Sequence, residues 1–134
     1  MGYIPIGLNR GAVALPQEIT KYSAADILDL WTHYVADVGY FLISALTEED
    51  RRKNEADLLD EYRKTLRVPD DQRPSGDQMW ARYRATPIYG LAIWLSTLGT
   101  DGWQRSDVSL TLCQRFSAAF LELDTLQALK SVDL

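Results

Sequence analysis

The stretch SAADILDLWTHYVADVGYFLISA, residues 23–45, decides the fold class. Ser23 is a residue type suited to a helix N-cap, because its hydroxyl can accept from backbone N–H groups of the first turn. Behind it Ile27, Leu30, Trp31, Tyr34, Val35, Val38, Phe41, Leu42 and Ala45 recur at three- and four-residue steps. That spacing lays a wide apolar stripe on one long helix, or on two helices broken near Gly39.

The same signals continue towards the C-terminus. Thr47 followed by Glu48, Glu49 and Asp50 starts a second helix, since carboxylates favour a first turn. It runs to about Arg67, charged at its beginning and apolar later through Leu58, Leu59, Tyr62 and Leu66. Glu48–Arg52 and Glu49–Lys53 are four-residue pairs suited to an exposed face, each worth only about 0.2–0.5 kcal/mol. Val68 to Gly76 is a loop rich in Pro, Asp and Gly. Ser75 then caps a third helix with the face Met79, Trp80, Tyr83, Ile88, Leu91, Trp94, Leu95 and Leu98. Pro87 predicts a kink near Tyr83 or Arg84, because proline lacks an N–H and its ring clashes with the preceding turn. Gly99 is a C-terminal stop, and residues 100–105 are a connector. Ser106 caps the fourth helix, striped by Val108, Leu112, Cys113, Phe116, Ala119, Phe120 and Leu123, and a short turn over Leu126 to Leu129 packs back.

Upstream, residues 1–17 hold Gly2, Pro5, Gly7, Gly11 and Pro16 among scattered apolar residues. Such breakers exclude a long helix and read as an extended arm, with a short strand around Val13. No segment alternates with period two long enough to build a sheet. The expected fold is all-α: four main helices plus a short C-terminal turn over residues 18–134, preceded by the arm.

The composition excludes whole classes of function. At 134 residues the chain is one domain with room for a core. Its net charge of −5 and pI near 4.8 disfavour nucleic acid and anionic membrane as partners. A single cysteine, Cys113, allows no intramolecular disulfide and agrees with a reducing compartment. No apolar run approaches the roughly 20 residues that span a bilayer, and no secretory signal opens the chain. A cytoplasmic domain is the expectation.

Few residues carry chemistry. One His and one Cys give no metal-site spacing, so no metal and no cofactor are implied. His33 is the only side chain that titrates unperturbed near neutrality and is a weak general-base candidate, although a boundary histidine is the commoner role. Cys113 lies within an apolar stripe and reads as a small hydrophobe. Asp26, Asp29 and Asp37 read as solvated residues on the outer face of a helix, with Asp37 also a weak acid–base candidate. No glycine-rich phosphate cradle occurs.

The aromatic inventory is richer, with 4 Trp and 7 Tyr. Trp31, Tyr34, Tyr40, Phe41, Tyr62, Trp80, Tyr83, Tyr89, Trp94, Phe116 and Phe120 are all expected to face inward. Core is the commoner role for such a set. The sharper reading is a pocket lined by Trp31, Tyr34, Trp80, Tyr83 and Trp94, with Arg82 and Arg84 placed for an anionic group.

Several blocks, taken in order, resemble a known family. They are Asp37-Val38-Gly39-Tyr40-Phe41-Leu42, Leu46 to Arg52, Leu58 to Tyr62, Trp80-Ala81-Arg82-Tyr83-Arg84, Tyr89-Gly90-Leu91, Gln114 to Ala119 and Leu123 to Leu126. Together, over Ala36 to Lys130, they resemble the C-terminal helical subdomain of phosphotransferases of the aminoglycoside and choline kinase type, in the ecdysteroid-kinase-like branch. The resemblance implies that Asp37 braces a catalytic loop and that the helices after it wall an acceptor-substrate pocket. The chain departs from the family upstream of Asp37. It has no nucleotide-positioning lysine and glutamate, no His-Gly-Asp…Asn loop and no Asp-Trp-Gln metal motif, and it is too short for a two-lobed kinase. Phosphoryl transfer depends on those parts, so kinase activity is not expected, and the residues leave open whether the chain is an enzyme at all.

Two functions fit this reading. The first is a non-catalytic helical domain that associates with itself, as a homo-oligomer, or with a partner protein, since a detached lobe exposes an apolar face. The alternative is a small helical protein that binds an apolar or aromatic small molecule in an aromatic-lined pocket derived from the acceptor site. Trp31, Tyr34, Trp80, Tyr83, Arg84 and Trp94 would line that pocket, and His33 or Asp37 would supply acid–base chemistry. A third arrangement, part of a longer kinase chain, places the missing motifs on an adjacent polypeptide.

Overall fold

A computed structural model of the chain describes residues 7–8, 11–12 and 34–132. The described body is all-α. Helix α1 spans Tyr34–Ala45, α2 Glu48–Thr65, α3 Gly76–Ala85, α4 Pro87–Leu98, α5 Ser106–Glu122 and α6 Thr125–Ser131, with a 3₁₀ turn at Asp70–Gln72. Within the N-terminal arm, β1 (Gly7–Leu8) and β2 (Gly11–Ala12) form a two-rung antiparallel pair, Gly7 opposite Ala12 and Leu8 opposite Gly11. The strand expected around Val13, the helix start at Ser23, and Asp26, Asp29, Trp31 and His33 lie outside the described residues.

The caps follow sequence chemistry. Thr47 accepts from the Asp50 N–H at 3.1 Å, capping the start of α2, a bond worth about 1 kcal/mol. Ser75 and Gln78 form a reciprocal capping box at the start of α3, at 3.1 and 2.9 Å. Ser106 does not cap. It is the first residue of α5, and Arg105 holds the cap position without a side-chain bond.

The third helix differs from expectation and raises the number of main helices among the described residues to five. Instead of kinking at Tyr83 or Arg84, the chain ends α3 at Ala85, turns at Thr86 and starts α4 with Pro87. Proline is favoured there, where an N–H would have no helical partner. The Tyr83 carbonyl, which a continuous helix would have set against the proline ring, accepts from the Thr86 N–H at 3.1 Å and the Thr86 hydroxyl at 2.7 Å. The C-terminal turn is likewise a full helix, α6, which packs on α3.

Gly39 does not break α1. A Cβ on Gly39 would lie 2.6 Å from Thr86 Oγ1, so its bare backbone lets α1 cross tightly over the α3–α4 corner. The main core gathers Val35, Leu42, Ile43, Leu59, Met79, Tyr83, Phe116, Ala119 and Leu123 from α1, α2, α3, α5 and the α5–α6 turn. A second cluster of Ala85, Ile88, Ala128 and Leu129 joins α6 to the corner. The most extensive helix pair is α4 on α5. Its closeness has a specific cause, since a Cβ on Gly90 would sit 2.0 Å from the buried Phe116 ring.

Three large apolar residues expected inward point out: Phe41, Leu58 and Leu98 are exposed. On α2 the buried stripe is instead Arg51, Glu55 and Leu59, one residue per turn.

Candidate functional site

The charged first half of α2 contributes the main buried polar cluster among the described residues. Arg51, 1% exposed, donates from Nη1 to Glu55 Oε2 at 2.7 Å and from Nη2 to Glu122 Oε2 on α5. Tyr83 on α3, fully buried, donates its hydroxyl to the same Glu55 oxygen at 2.7 Å. Arg52 closes the cluster from outside, with Nε and Nη2 on the two oxygens of Glu122 at 3.0 and 2.9 Å.

Two guanidinium groups thus meet two carboxylates, and the cluster neutralises itself. Burial works against the Arg51 charge, but Glu55 and Glu122 outweigh it and hold its pKa above the ordinary arginine value. Arg52 holds the Glu122 carboxyl below its usual range, against a smaller opposing effect of burial and with help from Arg51. Burial, reinforced by the Glu55 carboxylate, pushes the Tyr83 phenol far above its ordinary value, so it is a permanent donor. The cluster's work is positional, fixing α2, α3 and α5 against one another by directional bonds.

One turn along α2, and on the same seam between α2 and α3, lies a cleft of about 210 Å³. Ala56, Leu59, Asp60, Arg63, Gly76, Met79 and Trp80 line it. Leu59 and Met79 are buried and form its floor, while Trp80 is half-buried and tilted against Tyr83 with ring centroids 5.5 Å apart. Asp60 and Arg63 stand at the rim as an ion pair, Arg63 Nε on Asp60 Oδ1 at 3.1 Å. A shallower groove runs along α5 at Asp107, Val108, Thr111, Leu112 and Arg115.

Of the residues singled out from sequence that the structure describes, Trp80 lines the cleft, and Tyr83, Arg84 and Trp94 do not. Tyr83 is sealed in the core beneath it. Arg84 is spent on structure, its Nε donating to the Leu123 carbonyl at 2.7 Å, which ties α3 to the α5–α6 turn. Trp94 donates its indole N–H to the Tyr40 hydroxyl at 2.7 Å, joining α4 to α1. Burial raises the Tyr40 pKa, partly offset by that bond. Asp37 is exposed on α1, and Tyr34 begins the described part of that helix. Cys113 is buried, and burial pushes its thiol up, which makes it a poor nucleophile.

Sequence reasoning missed Arg51, Glu55 and Glu122. The signal was periodicity carried backwards: stepping by four from Leu59 lands on Glu55 and then Arg51. The pairing expected for Glu49 and Lys53 is present at 2.6 Å, whereas Arg52 reaches Glu122 rather than Glu48.

Among the described residues no three His, Cys, Asp or Glu side chains stand close enough to hold a metal ion, and no helix is long and apolar enough to cross a membrane. Compared with protein-family models, curated proteins and solved structures, the chain matches none.

Proposed function

We propose that this chain is a non-catalytic helical domain of phosphotransferase-like descent that works by association, with a second copy of itself or with a partner protein. The proposed descent rests on the order of the sequence blocks from Asp37 to Leu126. The proposed role rests on one observation at the end of the α4–α5 hairpin. There Leu98 in the last turn of α4, Trp103 in the connector and Leu110 early in α5 are 39%, 70% and 49% exposed.

Helix α4 extends this apolar character down the hairpin. On this helix Ile93 and Leu95 are partly exposed, while Leu91 and Trp94 pack against the main core. Apolar side chains left partly open beside an exposed apolar tip support a further partner surface. At the tip Arg105 is bonded to Asp107 at 2.7 Å, which lowers the electrostatic cost these two charges would add to bringing a second surface close.

Sedimentation equilibrium tests the reading. Wild-type chain is expected to show a mass that rises with concentration, or to co-sediment with a partner isolated on it, and Trp103→Ser with Leu110→Ser is expected to remove either effect without unfolding. A wild-type protein that stays monomeric throughout and recovers no Trp103-dependent partner overturns it.

A further inference from the structure

The α2–α3 cleft lies away from the hairpin tip and is not used by the association reading. Its volume of about 210 Å³ suits one or two fused rings, since a cavity of about 150 Å³ already accepts benzene. Its floor is apolar, through Leu59 and Met79, and the thioether of Met79 adapts readily to a ring. The Trp80 indole forms a wall against which a flat ring stacks. Gly76 lines the cleft with open space beside it, since a Cβ placed there would meet nothing within 4 Å.

The rim decides the polar end of the ligand. Asp60 is already held by two cations, with Arg63 on Oδ1 at 3.1 Å and Lys64 on Oδ2 at 2.8 Å. A ligand amine would have to displace one of them. Arg63 engages Asp60 through Nε and Nη2 only, leaving its Nη1 amino group for a second acceptor. Arginine is suited to such shared recognition of carboxylates.

We propose that this cleft binds a small aromatic carboxylate, its ring against Trp80 over Leu59 and Met79 and its carboxylate on Arg63. Arg84, which the sequence suggested for an anion, is committed to the Leu123 carbonyl, and Arg63 takes that role instead. A ligand of this size in so shallow a site binds with a dissociation constant on the order of a millimolar.

The test uses the full chain, isotope-labelled, titrated by NMR with three probes sharing one ring: indole-3-acetate, indole and tryptamine. The expected result is saturable movement of the Gly76 amide and Trp80 indole N–H resonances, with indole-3-acetate about tenfold tighter than tryptamine. Arg63→Gln is expected to erase that preference while leaving indole binding in place. Gly76→Leu, which enters open space at a helix start, is expected to block all three probes without lowering the melting temperature. No saturable shift with any probe, or tryptamine binding as tightly as the acid, overturns the proposal. Undiminished binding to folded Gly76→Leu also overturns it. Should Gly76→Leu fail to fold, Arg63→Gln decides alone.

Discussion

Helices α2 and α3 meet across a hydrogen-bonded set of charges, whereas α4 and α5 meet across carbon. In the first pair Arg51, Glu55 and Tyr83 occupy positions that an ordinary amphipathic helix would give to leucine or valine. In the second, Gly90 gives up its side chain so that the Phe116 ring can lie against bare backbone. Directional bonds fix register and orientation but tolerate little loss, because each buried charge depends on its partner. Close apolar contact tolerates loss of a bond, having none, but resists any added volume. The two seams should therefore fail under opposite kinds of substitution.

The largest effect is expected at Arg51. Arg51→Met leaves Glu55 buried without its counter-charge and should lower unfolding stability in urea by about 3–5 kcal/mol. Replacing Arg51, Glu55 and Glu122 together by apolar residues of similar volume should recover most of that loss. A single Arg51→Met variant as stable as wild type would erase the contrast between the seams.

The apolar seam should break under addition. Gly90→Val puts atoms where the Phe116 ring lies, and overpacking of this kind costs about 1–3 kcal/mol. Truncating the ring with Phe116→Val in the same chain should restore part of the loss, so a double-mutant cycle should show coupling between the two positions. Independent, additive effects would mean that α4 can simply shift.

Tyr83→Phe is a smaller test of the polar seam, since it removes one donor from a buried carboxylate that keeps Arg51. A loss of about 1–2 kcal/mol at neutral pH is expected. Its pH dependence has a definite sign. The folded pKa of Tyr83 is raised above the ordinary 10.0, so its contribution is complete below pH 10. Above pH 10 the unfolded chain ionises while the folded one does not, and stability falls as pH rises. Tyr83→Phe should make that alkaline decline shallower. Glu122 gives the mirror image: its folded pKa lies below the ordinary 4.5, so its contribution holds above that value and disappears as pH falls through the folded pKa. An alkaline arm of equal slope in wild type and Tyr83→Phe would place the proton linkage elsewhere.

The helical periods from Val35 to Leu129 were legible because apolar spacing of three and four residues survives any tertiary arrangement. Thr47 and Ser75 were legible as caps because capping is local. The Pro87 break was half legible: proline marks a discontinuity, but whether the chain kinks or restarts depends on the Thr86 hydroxyl finding the Tyr83 carbonyl. The site was mostly hidden. Arg51 and Glu55 look solvated in a sequence, and partners distant along the chain, Glu122 for Arg51 and Tyr83 for Glu55, make their burial tolerable. The ligand-lining role expected of Trp80, Tyr83, Arg84 and Trp94 rested on composition, which cannot distinguish a side chain facing a cleft from one tied to a neighbouring helix. Phe41 and Leu58 fail for a related reason: a wide stripe has edges, and the edge residues face outward.

Trp103, at the hairpin tip, also gives the molecule an optical handle. It stands 70% exposed in the α4–α5 connector, while Trp80 and Trp94 are half-buried. A water-facing indole emits at longer wavelength and is reached readily by a dissolved quencher. Burial of the tip would shift that emission to the blue and shield it, so the molecule carries its own dye at the surface proposed to engage a partner.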